Sequence, residues 1–207
     1  MANNYDNAAH FYDQLSQLVF GKALVNAQVY LLQFVPPGSN LLIVGGGTGW
    51  ILEELTRLHH GGLSITYVEL SAKMVALSKQ KNTGNNEVKF INSAIEDADL
   101  TTGYDIIITP FLFDNFKQPH ANKVFSQLNA LLTPNGLWLY ADFELNGKWW
   151  QSALLKTMHL FFKLLCRVEA SKLPEVKALW DQNRYQQVQS KGFFGGFIRS
   201  AVYEKLM

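Results

Sequence analysis

Cysteine is all but missing. Cys166 stands alone among 207 residues, so no disulfide can close within the chain and no zinc site built on several thiolates is available. Charge is also sparse, at 17% of residues, with 18 Lys and Arg against 17 Asp and Glu for a net charge of +1. That balance offers no electrostatic attraction to a phosphate backbone, so no nucleic-acid partner is expected. No apolar run of membrane-spanning length exists either. The greasiest stretch, residues 149–166, is broken by Lys156, His159 and Lys163. Residues 1–14 are polar and include Asp6 and Asp13, unlike a targeting signal. Repeats and low-complexity tracts are absent. What is present is a 48% hydrophobic content, enough for a sizeable core. The expectation is a soluble, cytoplasmic, single-domain protein over residues 1–207, with no metal site and no membrane contact.

Along the chain, apolar residues recur at helical intervals in residues 8–35, with Gly21 as a break and Pro36-Pro37-Gly38 as a stop. Leu41-Leu42-Ile43-Val44 is an unbroken apolar run, as in a strand covered on both faces. Next come a helix over 48–60 closed by Gly61-Gly62, a strand over 65–69, and a helix capped by Ser71. Strands over 88–91 and 105–109, a helix over 120–132 ended by Pro134-Asn135-Gly136, and a strand over 137–142 complete an alternating series. This rhythm implies right-handed crossovers and a parallel sheet with helices on both faces. Beyond it, helices are expected over 149–169 and 173–190, then a hairpin around Gly195-Gly196. The regions are a helical cap segment (1–38), a ligand-binding core (39–142), a helical insertion (143–190) and a terminal hairpin (191–207).

The chemistry concentrates at Gly45-Gly46-Gly47-Thr48-Gly49, between the first strand and the first helix of the core. Glycines there allow a sharp turn and close approach of a ligand, and free N–H groups at a helix start favour an anionic one. Glu69 ends the second strand 20 residues beyond Gly49, where an acidic residue can bind ribose hydroxyls. A dinucleotide fingerprint G-x-G-x-x-G would need glycine at position 50, which is Trp50. An NAD-dependent oxidoreductase is therefore disfavoured.

At this loop the sequence resembles the class I S-adenosylmethionine-dependent methyltransferases. The likeness continues through Tyr67-Val68-Glu69-Leu70-Ser71, residues 88–97, residues 104–109, LTPNGLWLYAD (132–142) and GGFIRSAVYEKL (195–206). It implies a Rossmann-like α/β fold: a seven-stranded, mostly parallel sheet with an antiparallel last strand, helices on both faces and a small helical cap. It also implies a site for S-adenosylmethionine and its product S-adenosylhomocysteine, formed by Gly45, Gly46, Gly47, Gly49, Glu69 on the ribose, Leu70 on the adenine, Ala94, Ile95 and Thr109. Two positions depart from the family pattern. Ile43 and Ala94 stand where the family usually or often has acidic residues, and Glu96 or Asp97 could substitute through a shifted loop.

Methyl transfer from a sulfonium is an in-line displacement that mainly requires alignment and exclusion of water. A general base is needed only when the acceptor must lose a proton. Candidates for the acceptor pocket are Tyr5, Tyr12, Phe111, Phe113, Trp149 and Trp150, with His10, Asp114 and Asp142 as candidate catalytic contacts. An aromatic lining suits a small, partly apolar acceptor. Trp149 and Trp150 read more readily as core or dimer packing than as a substrate box, so a homodimer stays open. His159 lies on the stripe Ser152, Lys156, His159, Lys163 and reads as a surface residue. The function expected is methyl transfer to a small molecule; the alternative is a non-catalytic protein that only binds the cofactor.

Overall fold

The computed structural model describes residues 12–166 and 172–207. Its strands are β1 Asn40–Val44, β2 Gly61–Glu69, β3 Asn85–Asn92, β4 Tyr104–Pro110, β5 Leu132–Phe143, β6 Tyr185–Phe193 and β7 Ile198–Lys205. They form one seven-stranded sheet in the order β3-β2-β1-β4-β5-β7-β6. Strands β1 to β5 pair in parallel, and β7 runs antiparallel to both β5 and β6. The chain order reverses between β1 and β4, which places a ligand crevice at their carboxyl ends.

Helices cover both faces because the central strands are apolar on both. The helices are α1 Tyr12–Phe20, α2 Ala23–Leu32, α3 Trp50–Leu58, α4 Ala72–Ser78, α5 Gln118–Leu131, α6 Trp149–Cys166 and α7 Lys177–Gln182. On one face Leu31 of α2 and Ile51 and Leu55 of α3 pack with Leu41, Ile43, Ile65 and Ile108. On the other, Val124, Phe125 and Leu128 of α5 pack with Leu42, Ile107, Trp138 and Trp180. A third cluster of Phe20, Ala27, Phe143, Leu155, Phe197 and Ile198 fixes α1, α2 and α6 against the end of β5 and the start of β7. That cluster holds the roof of the site described below.

Local chemistry explains most boundaries. Ser71 caps α4, its Oγ accepting from the Met74 N–H at 3.2 Å. Three sequence expectations are corrected. The helix expected over 173–190 shrinks to α7, and Tyr185–Phe193 is strand β6. This edge strand is solvent-exposed over seven consecutive residues, so its Gln, Ser and Lys side chains carry no alternation, and pairing to β7 makes it a strand. Gly61-Gly62 begins β2 instead of merely closing a helix; a Cβ on Gly61 would stand 2.9 Å from that of Asn85 on the neighbouring strand. Pro134-Asn135-Gly136 lies within β5, in a shift of register against β4, and Asn135 takes the left-handed conformation.

Candidate active site

A cavity of about 440 Å³ opens at the carboxyl ends of β1, β2 and β4. Its floor is made by the glycine bend. Gly45 and Gly47 adopt φ of +74° and +64°, where a side chain would be strained. Gly46 is needed for space, since a Cβ there would lie 2.4 Å from the ring of Tyr67. That ring is itself fully buried, and its hydroxyl donates to the Gly47 carbonyl at 3.0 Å.

Glu69 closes the floor from the next strand. Its Oε2 accepts from the Gly47 N–H at 3.1 Å and its Oε1 from the Ser71 N–H at 2.9 Å. The bend and the strand-end carboxylate are therefore one hydrogen-bonded unit facing the cavity. Asn92, at the end of β3, donates to the carbonyls of Glu69 and Leu70 at 3.0 and 2.8 Å and fixes the backbone that carries them. Leu70, Ala94 and Ile95 line the same cavity, with Ser93 and Glu96 beside them. Glu96 pairs with His120 at the start of α5, and Asp97 lies outside the lining.

The roof has a different character. Leu15, Val19 and Phe20 of α1, Leu24 of α2, and Leu154, Met158 and Phe161 of α6 line it, joined by Ser16, Gln28 and Thr157. None of these side chains carries a charge. Phe111 and Phe143, 5.2 Å apart between ring centres, connect roof to wall.

The wall between floor and roof is the turn after β4, residues 110–116. Phe111 adopts φ +52°, a conformation costing about 1–3 kcal/mol for a residue with a side chain. Three ties hold it. The Phe111 N–H donates to the Ala141 carbonyl at 2.7 Å. The Asn115 amide donates to the carbonyls of Phe111 and Leu112 and to Asp114 Oδ1. Asp142, at the end of β5, accepts from the N–H groups of Phe113 and Asp114 on Oδ2, at 2.9 and 3.3 Å, and from Phe143 on Oδ1, at 2.8 Å. Burial pushes the Asp142 carboxyl up to about 7, against the lowering effect of those three donors. Burial, and then the neighbouring Asp142, hold the Asp114 carboxyl well above the usual carboxylate range.

The expected positions divide accordingly. Gly45, Gly46, Gly47, Glu69, Leu70, Ala94, Ile95, Phe111 and Asp114 meet at the cavity. Gly49, Thr109, Asp142, Phe113, Trp149 and Trp150 lie outside its lining. Gly49 is where α3 passes α4; a Cβ would come within 2.6 Å of the Ser78 backbone. Thr109 is fully buried, its hydroxyl accepting from Trp138 Nε1 at 2.9 Å. Phe113 is buried among Phe125, Trp138 and Tyr140, and Trp150 packs on Phe194 and Phe197. Trp149 is 82% exposed. His159 is half-buried, whereas Ser152, Lys156 and Lys163 are exposed as expected. Tyr5 and His10 lie outside the described residues, as do the side chains of Tyr12 and Cys166. Sequence reasoning marked the aromatic Phe161 of the insertion but missed the roof positions on α1 and α2 and, on α6, Leu154, Thr157 and Met158. Their signal was the spacing Leu15/Val19 and Leu154/Met158/Phe161, which places each set on one helix face.

Comparison with known proteins agrees with this fold. Residues 41–136 match the family model of the methyltransferase domain. Among solved structures, magnesium protoporphyrin IX methyltransferase from Synechocystis PCC 6803, with bound S-adenosylhomocysteine, superimposes with a TM-score of 0.71 at 17% identity, over 97% of this chain and 96% of that one. The 1,6-didemethyltoxoflavin N1-methyltransferase of Burkholderia thailandensis gives 0.67 at 14% identity, over 97% and 85% of the two chains. Mitomycin 7-O-methyltransferase gives 0.69 at 13% identity over 94% of this chain, which spans only 57% of that protein's length. No curated protein matches in sequence. The chain thus has the fold of the class I methyltransferases, and residues 41–136 are similar to the methyltransferase domain. Among the described residues no helix is long and apolar enough to cross a membrane.

Proposed function

We propose that the protein transfers a methyl group from S-adenosylmethionine to a small, partly apolar acceptor. The observation that carries this reading is the Gly47–Glu69 hydrogen bond at the floor of the cavity, beneath an uncharged roof. The donor supplies a sulfonium-bound methyl group already activated by positive charge. Glu69 suits its ribose, because a carboxylate accepts hydrogen bonds from hydroxyl groups and the Gly47 and Ser71 N–H groups hold this one in place at the cavity floor. Leu70 and Ile95 supply apolar walls for the adenine, and the bare backbone of residues 45–47 permits close approach. Ala94 offers no side-chain acceptor there, and Ser93 and Glu96 are the polar groups beside it.

The roof would align the acceptor and exclude water, the two requirements of an in-line displacement. The lack of charge among its lining side chains favours a neutral molecule. Titration calorimetry with S-adenosylhomocysteine tests the donor half, and absence of binding would sink the whole reading. Transfer of labelled methyl groups to a panel of neutral aromatic and anionic acceptors tests the rest. Turnover restricted to anionic acceptors would refute the proposed acceptor class, and binding without any turnover would favour a cofactor-binding protein that transfers nothing.

A further inference from the structure

We propose that Asp142 is a positioning residue of this site: its buried carboxylate holds the turn after β4 in the arrangement that forms the cavity wall. This rests on the cofactor reading above.

The turn does not stand by itself. It contains a left-handed Phe111, and residues 110, 111, 112, 114, 115 and 116 all line the cavity. It also bears on the glycine bend, since Leu112 Cδ1 is 3.3 Å from where a Cβ of Gly45 would lie. A displaced turn therefore alters both the wall and the floor. Asp142 is 2% exposed, does not line the cavity, and spends both oxygens on backbone N–H groups, two of them in the turn. A neutral amide could not replace it cleanly, because its NH2 would face a backbone donor.

The charge has few counterweights. The groups around Asp142 are Asp114 in the turn, Tyr140 on its own strand and Glu144 just after it, and Tyr203 and Arg199 on β7, with Arg199 engaged by Glu144 and Gln187. An ionised carboxylate in such surroundings lowers stability relative to its protonated form, which argues for a role in placement. On protonation one oxygen becomes a donor, and the three N–H groups lose part of their acceptor.

The test measures S-adenosylhomocysteine binding by calorimetry at about pH 6 and about pH 8, for the wild type and Asp142→Asn. If the ionised form is the competent one, wild-type affinity is about tenfold weaker at the lower pH, following the ionised fraction across a midpoint near 7. Asp142→Asn is expected to bind more weakly at the higher pH and to lose that dependence. Should Asp142→Asn fail to fold, as judged by circular dichroism, the wild-type profile and Asn115→Ala, which removes the second tie, carry the test. Equal wild-type affinity at both pH values, or an unchanged profile in Asp142→Asn, overturns the proposal. No binding by the wild type at any pH refutes the cofactor reading instead.

Discussion

The floor and the roof of the cavity are built on opposite principles. The floor is backbone: N–H groups and carbonyls of the glycine bend, of residues 69–71 and of the strand ends meet a few side chains that lock them, Tyr67, Glu69 and Asn92. The roof is side chain: apolar residues at helical spacing on α1, α2 and α6, carrying no charge. A floor of this kind recognises a polar ligand by fixed hydrogen-bond geometry, and a roof of this kind accepts shape and hydrophobicity. On the function proposed above, one half would specify a donor narrowly, and the other could change its acceptor by changing a few side chains.

The contrast yields predictions that rank by size. The largest concerns the wall that joins the halves. The folded-state carboxyl of Asp142 lies near 7, above its unfolded value, so its contribution to stability is fully present below about pH 4 and is lost as pH rises through about 7. The loss is on the order of 4 kcal/mol, and urea melts of wild type against Asp142→Asn over that range should show a falling slope that the variant flattens.

On the floor, Gly46→Ala drives a Cβ into the buried Tyr67 ring. Overpacking of that sort costs about 1–3 kcal/mol, read as a lower melting temperature together with lost S-adenosylhomocysteine binding. Glu69→Ala should weaken the same ligand by about 1.5–3 kcal/mol, the range for hydrogen bonds to a charged group. It should leave uptake of a neutral apolar dye such as Nile red by the roof unchanged. An unaltered dissociation constant for the ligand would remove Glu69 from the ribose site.

Two further substitutions test the boundary of the site. Thr109→Val strands the buried Trp138 N–H and should cost about 1–3 kcal/mol of stability while ligand binding stays as in the wild type. A change in binding at unchanged stability would return Thr109 to the cavity. Trp149→Ala, on an exposed side chain outside the lining, should shift stability by no more than about 0.5 kcal/mol and binding not at all.

Legibility followed the range of the forces. The glycine bend, Ser71 as a cap, the apolar β1 and the spacing to Glu69 are local signals, and each maps onto the structure where it was read. Strand β6 was illegible because an exposed edge strand has no alternating burial to leave in its sequence. Trp149 and Phe113 show the limit for aromatics: composition identifies a large apolar ring, and only packing decides whether it meets solvent, core or cavity.

From its residue order alone, this chain determined a parallel α/β core with a glycine bend opposite a carboxylate, because turn chemistry and hydrophobic period act between near neighbours. Only the assembled molecule decided which helix faces roof the cavity, that Thr109 bonds inward, and that Asp142 grips the turn after β4. Those outcomes depend on strands and helices distant in sequence arriving at one place, where burial sets both the direction of each side chain and the charge it can hold.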